Sequence, residues 1–192
     1  MKASILFVCT GNTCRSPMAE GMLRAMAKRS GIALDVRSAG VAASNGAPAS
    51  RHTVDILRRK GVSDAFASTT LSTTDIERAT LILTMTMSHK RAVIQRYPQA
   101  VDKTFTLKEY VEDRPHMLDN IREREELSTE LEIKRALGQP ITEQERTKLR
   151  QLERGAPDHD IADPYGGTAA DYEAVAAEIE ASLAKLLKRL GG

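Results

Sequence analysis

Cys9 and Arg15 stand six positions apart in the run Cys9-Thr-Gly-Asn-Thr-Cys-Arg-Ser16, between the apolar stretch Ile5-Leu6-Phe7-Val8 and Pro17. A cysteine thiolate is a nucleophile, and a guanidinium is a planar fork of donors that matches the equatorial oxygens of a phosphoryl group. Between the two, Thr10, Gly11, Asn12, Thr13 and Cys14 can turn their backbone N–H groups around a tetrahedral anion. That leaves phosphorus open to in-line attack by Cys9. Gly11 lets the backbone approach closely, Asn12 tolerates a left-handed conformation while its side chain ties the loop, and Ser16 can hydrogen-bond the sulfur. The N–H dipoles and the fixed charge of Arg15 are expected to hold Cys9 as the reactive thiolate near neutral pH. The pattern Gly-x4-Gly-Lys-Ser/Thr is absent, which excludes a nucleotide-binding P-loop.

A loop of this kind works only at the positive end of a helix that follows a strand. Ala3 to Val8 reads as that strand. Ser16 reads as an N-cap with Pro17 at the first helical position, opening a helix to Ser30 that Gly31 stops. Ala33 to Arg37 is a second strand running into a Ser38-Ala39-Gly40 turn, and Ser50 caps a helix to Lys60, closed by Gly61. Leu81 to Met85 is a third strand, Ser88 caps a helix ending before Pro98, and Lys103 to Leu107 is a fourth. Ala169 to Leu190 is a long final helix, acidic early and basic late, as its dipole prefers. Strands alternating with helices predict an α/β fold: a doubly wound four-stranded parallel sheet with helices on both faces. The ligand site of such a sheet lies beyond the carboxyl ends of its strands at a switch point, where the Cys9 loop falls. Met85 and Met87 read as core filling, and the scattered His52, His89 and His116 are given no role.

A chain of 192 residues builds an ample core within one domain. Its net charge of +2 offers no global field for nucleic acid or a membrane. Both cysteines lie inside the loop, so a disulfide scaffold is not the reading and a reducing cytoplasm suits the thiols. If the loop curls around a phosphate-sized centre, Cys9 and Cys14 come within bonding distance, and peroxide is expected to join them. No stretch approaches transmembrane length, and Ile5 to Val8 is too short for a secretory core. Asp158-His159-Asp160 lacks a second cluster of ligands and reads as a solvated polar loop, so neither a metal nor a cofactor is expected.

The run Val8-Cys-Thr-Gly-Asn-Thr-Cys-Arg-Ser-Pro-Met-Ala-Glu20 resembles the signature of the low-molecular-weight protein tyrosine phosphatases, most closely their bacterial protein arginine phosphatase branch. Ser38-Ala39-Gly40, Phe105-Thr106-Leu107-Lys108-Glu109-Tyr110 and Asp163-Pro164-Tyr165-Gly166-Gly167 match in order. The resemblance implies that Asp163 is the general acid and that Ser38 supports the loop through Asn12. A carboxyl on a proline-stiffened loop could protonate a leaving group and then deprotonate water. It also points to Thr13, where the phosphotyrosine branch usually carries a branched aliphatic residue. The Thr13 hydroxyl could meet the polar guanidinium of phosphoarginine. Tyr165 is expected on the pocket wall, able to stack on an aromatic ring or a guanidinium.

The expected reaction is hydrolysis of phosphoarginine in phosphorylated proteins through a cysteinyl phosphate, with tyrosine phosphatase as the enzyme alternative. An arsenate reductase would add downstream redox cysteines, and none follows Cys14. A phosphate-dependent binding module would need neither nucleophile nor acid. The chain departs from the family pattern at residues 113–157, a charged insertion just before the acid loop. Leu127, Leu131 and Leu137 near helical spacing, a Gly138-Gln139-Pro140 break and a Thr142/Glu145 capping box predict a helical hairpin. It could serve as a lid or docking arm, or be merely a solvated helix face.

Overall fold

Side-chain alternation along the first strand organises the molecule. The computed structural model describes residues 3–112, 114–154 and 158–191. In β1 (Ala3–Cys9), Ile5, Phe7 and Cys9 enter one core while Leu6 and Val8 enter another. Apolar residues at consecutive positions mean a strand covered on both faces, the habit of a parallel sheet. With β2 (Leu34–Gly40), β3 (Leu81–Thr84) and β4 (Thr104–Thr106), β1 forms a four-stranded, all-parallel sheet in the order β2-β1-β3-β4. The chain leaves β1 for its neighbour on one side and returns as β3 on the other. A crevice therefore opens beyond Cys9, at the end of β1.

On one face, α1 (Arg15–Arg29), α2 (Arg51–Arg59), α5 (Leu107–Val111) and α8 (Ala169–Gly191) share a core with Phe7, Met18, Leu23, Leu57 and Leu183. Buried Tyr172, Val175, Ala176, Ile179, Leu183 and Leu186 fall three or four apart and make α8 a one-sided helix. Truncating fully buried Leu183 to alanine would cost about 2–5 kcal/mol. On the opposite face, α3 (Thr73–Arg78) and α4 (Met87–Arg96) supply Ile76 and Val93, with Tyr97 beside them.

Several local expectations give way to tertiary structure. Ser16 is not the cap of α1: the helix begins at Arg15 behind Cys14, which makes no side-chain capping bond. The Ser16 hydroxyl is committed elsewhere, as described below. Ser38-Ala39-Gly40 is strand, not turn, because its residues pair with Phe7, Val8 and Cys9. Thr86, not Ser88, caps α4 by accepting from the backbone N–H of His89. The fourth strand is shorter than expected, since Pro98–Lys103 forms a 3-10 turn and Leu107 opens α5. The short α3, capped reciprocally by Ser72 and Asp75, was legible as a capping box but not expected. Met85 is fully buried, whereas Met87 is only half-buried.

The chain divides into two compact units, Met1–Val111 with His159–Gly192, and Glu112–Asp158. Within the second, α6 (Arg114–Ala136) packs on α7 (Glu143–Arg154). Gly138, at φ 66°, takes the left-handed turn between them. Thr142 and Glu145 form the capping box, and Glu145 also pairs with Lys134, contacts that hold its carboxyl below the usual range. Leu131 is buried and Leu127 half-buried, but Leu137 lies past the last helical residue and is exposed.

Candidate active site

The loop after β1 is held from outside through its carbonyls. The oxygen of Cys9 accepts from Val41 N (3.0 Å), that of Thr10 from Ala42 N (3.0 Å), and that of Thr13 from Ser50 N (2.9 Å). Asn12 O accepts from Ser68 Oγ (2.9 Å). Among the described residues, the N–H groups of Gly11 to Cys14 donate to no other group of the protein, which leaves them free for an anion. Close approach of β2 makes this possible. A Cβ at Gly40 would stand 2.5 Å from Thr10 O and 3.0 Å from Asn12 N, so only glycine fits. By contrast, a Cβ at Gly11 would meet only Thr13 Oγ1, at 3.6 Å; what Gly11 keeps open is the cavity it lines.

Behind the loop runs a buried polar chain. Asn12 adopts φ 53°, as its residue type permits, and its amide is satisfied on every side. Its Nδ2 donates to Ser16 Oγ (2.9 Å) and to Ser38 Oγ (2.8 Å), and its Oδ1 accepts from Thr69 N (2.9 Å). Ser38 Oγ in turn donates to Glu20 Oε2 (2.5 Å), whose carboxyl burial pushes up in pKa despite that bond. Ser16 Oγ, which accepts from Asn12, also lies 3.0 Å from Cys9 Sγ, so the buried chain ends on the sulfur, and either atom of that last pair can donate.

Arg15 opens α1 with a side chain only 5% exposed, its Nη2 2.8 Å from Asp163 Oδ2. Nη1 donates to Ile161 O (3.1 Å), while Nε is buried without a partner among the described residues, an unmet donor on a cation that lines the cavity. The Asp163 loop is pinned at its start: Ile161 N bonds Met85 O (2.8 Å), and Asp160 Oδ1 accepts from Met87 N (2.7 Å). Asp160 therefore anchors the loop and is not the solvated residue expected. Among the described residues, no three His, Cys, Asp or Glu side chains are grouped to hold a metal ion.

These groups surround a cavity of about 330 Å³. Cys9, Thr10, Gly11, Thr13, Cys14, Arg15, Asp163 and Tyr165 line it, whereas Asn12, Ser16 and Ser38 stand behind. Tyr165 sits with its ring largely exposed. Ala42, Ser44 and Ala47, from the segment after β2, complete the wall and were missed, since nothing marks small loop residues as pocket lining. His89 was missed as well: its Nε2 lies 2.8 Å from Thr10 Oγ1. Burial, reinforced by the charge of Arg15, pushes His89 down to about 4, so the ring is neutral. Cys9 and Cys14 are both free, and Cys14 Sγ contacts Tyr172 Oη at 3.3 Å.

Comparison with known proteins agrees with this geometry. The family model for low molecular weight phosphotyrosine protein phosphatase matches residues 4–130 and 127–192. A protein-arginine-phosphatase of Geobacillus stearothermophilus is 35% identical over 190 residues, 99% of this chain and 97% of the relative. One from Bacillus subtilis is 47% identical over 107 residues, 56% of this chain and 71% of the relative. Among solved structures, a Cys-to-Ser mutant of YwlE arginine phosphatase with a phosphorylated active-site serine superposes with a TM-score of 0.73 at 32% identity, covering 98% of this chain and 95% of that one. A loop joining Cys9 to Arg15 at the end of β1, Asp163 paired with that arginine and matches along the whole length lead to one assignment: this chain belongs to the low molecular weight phosphotyrosine protein phosphatase family.

Proposed function

We propose that the protein hydrolyses phosphoarginine residues of phosphorylated proteins through a phosphoenzyme on Cys9. Cys9 Sγ attacks phosphorus in line, the P–N bond breaks, and Asp163 gives its proton to the departing guanidine nitrogen. Loop N–H groups and Arg15 hold the equatorial oxygens. Water then attacks the thiophosphate, returning a proton to Asp163, and the P–S bond breaks to leave a thiolate that the Ser16 hydroxyl stabilises. Support for the covalent step comes from the related YwlE arginine phosphatase with its phosphorylated active-site serine in place of cysteine. The free thiols suit a reducing cytoplasm.

The observation that carries arginine over tyrosine is Thr13 at the cavity wall, in a chain whose full-length relative is a protein-arginine-phosphatase. A guanidinium brings N–H groups that need acceptors, and an apolar wall would leave them unpaired at about 1–3 kcal/mol. The Tyr165 ring would stack on either substrate and does not discriminate. Turnover of phosphoarginine and phosphotyrosine proteins measured side by side tests the reading. Thr13→Val should lower phosphoarginine kcat/KM by about five- to 150-fold while sparing aryl phosphates, and Thr13→Ile should do the same. Unchanged phosphoarginine turnover in both variants would turn the choice toward tyrosine phosphatase.

A further inference from the structure

We propose that His89 is a positioning residue for phosphoryl transfer: it donates from Nε2 to Thr10 Oγ1, which aims the Thr10 hydroxyl proton into the anion cavity. This rests on the cavity being a phosphate site, though not on the choice of phosphoarginine. Thr10 lines the cavity and is exposed to it, whereas His89, from the first turn of α4, is 6% exposed. Their side chains meet at 2.8 Å, and either atom of that pair could carry the proton.

The far side of the ring decides which does. His89 Nδ1 is buried without a partner among the described residues. A proton on Nδ1 would be an orphaned buried N–H, which proteins avoid more strictly than an unfilled acceptor site. The neutral ring therefore keeps its proton on Nε2, and Thr10 Oγ1 is the acceptor. With one lone pair engaged by the imidazole, the hydroxyl retains a proton that the imidazole cannot take. The cavity, lined by Arg15 and the unbonded loop N–H groups, is where an acceptor for it arrives as a phosphoryl oxygen.

His89 itself has little room to move. Its backbone N–H bonds Thr86 Oγ1 (3.1 Å), and two residues earlier Met87 N is held by Asp160 Oδ1 (2.7 Å). The helix start that carries the imidazole is thus fastened to the base of the Asp163 loop. One arrangement fixes a side-chain donor on the nucleophile loop and the loop that carries the acid.

A double-mutant cycle on the full chain tests this, with His89→Phe, Thr10→Val and the pair, read as kcat/KM on an aryl phosphate and as the inhibition constant of inorganic phosphate. Each single change should lower kcat/KM and weaken phosphate by about five- to thirtyfold, and the pair should be no worse than the worse single. Thr10→Ser, which keeps the hydroxyl, should recover most of what Thr10→Val loses in both readouts. Full loss from His89→Phe in the Thr10→Val background would show that histidine acts by packing alone and would overturn the proposal. Nitrogen-15 shifts of the His89 ring in the unmutated protein give a reading independent of variant folding: an unprotonated Nδ1 supports it, a protonated Nδ1 refutes it. A parent that neither hydrolyses the aryl phosphate nor binds phosphate would instead bring down the phosphatase reading, and this inference with it.

Discussion

His89 should make the catalytic unit sensitive to mild acid, by an amount that can be worked out. Its ring is neutral in the fold because burial and the nearby Arg15 push it from 6.5 to about 4, against the smaller opposing pull of Asp163 and Asp160. In the unfolded chain it regains its ordinary value. Between pH 6.5 and 4 the unfolded state therefore binds a proton that the native state refuses, so stability is fully present above the unfolded value and is lost as pH falls. At about 1.4 kcal/mol per pKa unit, lowering the pH from 7 to 4.5 removes about 2.5 kcal/mol through this one group. Glu20 titrates the other way: its raised carboxyl favours the fold at low pH and loses that contribution as pH rises through its folded value. Parent and His89→Phe must therefore be compared, so that Glu20 and other shared groups cancel. Urea unfolding followed by tyrosine fluorescence suits the purpose, since there is no tryptophan and Tyr97, Tyr110, Tyr165 and Tyr172 all lie outside Glu112–Asp158. The parent midpoint should fall about 1 M further than the variant's over that pH range. Parallel losses in the two proteins would refute the argument and mean that His89 is charged in the fold.

Asp163→Asn should cost most with substrates whose leaving group is least acidic and least with activated aryl phosphates; an equal, small loss across both would place the acid elsewhere. Peroxide should inactivate reversibly by joining Cys9 to Cys14, seen as a two-proton mass loss that thiol restores, and irreversible sulfinic acid at Cys9 without that bridge would count against it. Gly40→Ala should lower kcat/KM at least tenfold and destabilise by about 1–3 kcal/mol, because the new methyl must displace the Thr10 carbonyl. Unchanged phosphate inhibition in that variant would show that the loop adjusts without harm.

What sequence reasoning could and could not reach follows from the range of each interaction. The junction that carries Cys9, Gly11, Asn12 and Arg15 was readable because these residues fall between one strand and the helix that follows it, where spacing alone sets geometry. Ser16 misled as a cap because Ser-Pro is a helix start by local rules, whereas the fold offers its hydroxyl a sulfur and an amide. Ser38 to Gly40 reads as a turn by composition and becomes strand through pairing with residues far away in the chain. His89 left no trace, since its contact with Thr10 spans 79 positions and a lone histidine on a helix follows no pattern.

The pairing of Arg15 with Asp163 gives the cavity a selectivity filter of its own. Cation and anion neutralise each other across 2.8 Å, so an incoming ligand must replace a carboxylate and not merely meet a bare charge. Chloride or a lone carboxylate offers little that Asp163 does not already provide. A phosphoryl dianion brings more charge and enough oxygens to engage the guanidinium and the loop N–H groups together. On the proposed mechanism, its arrival would release Asp163 from the arginine and let that carboxyl turn toward a leaving group when there is one to receive the proton.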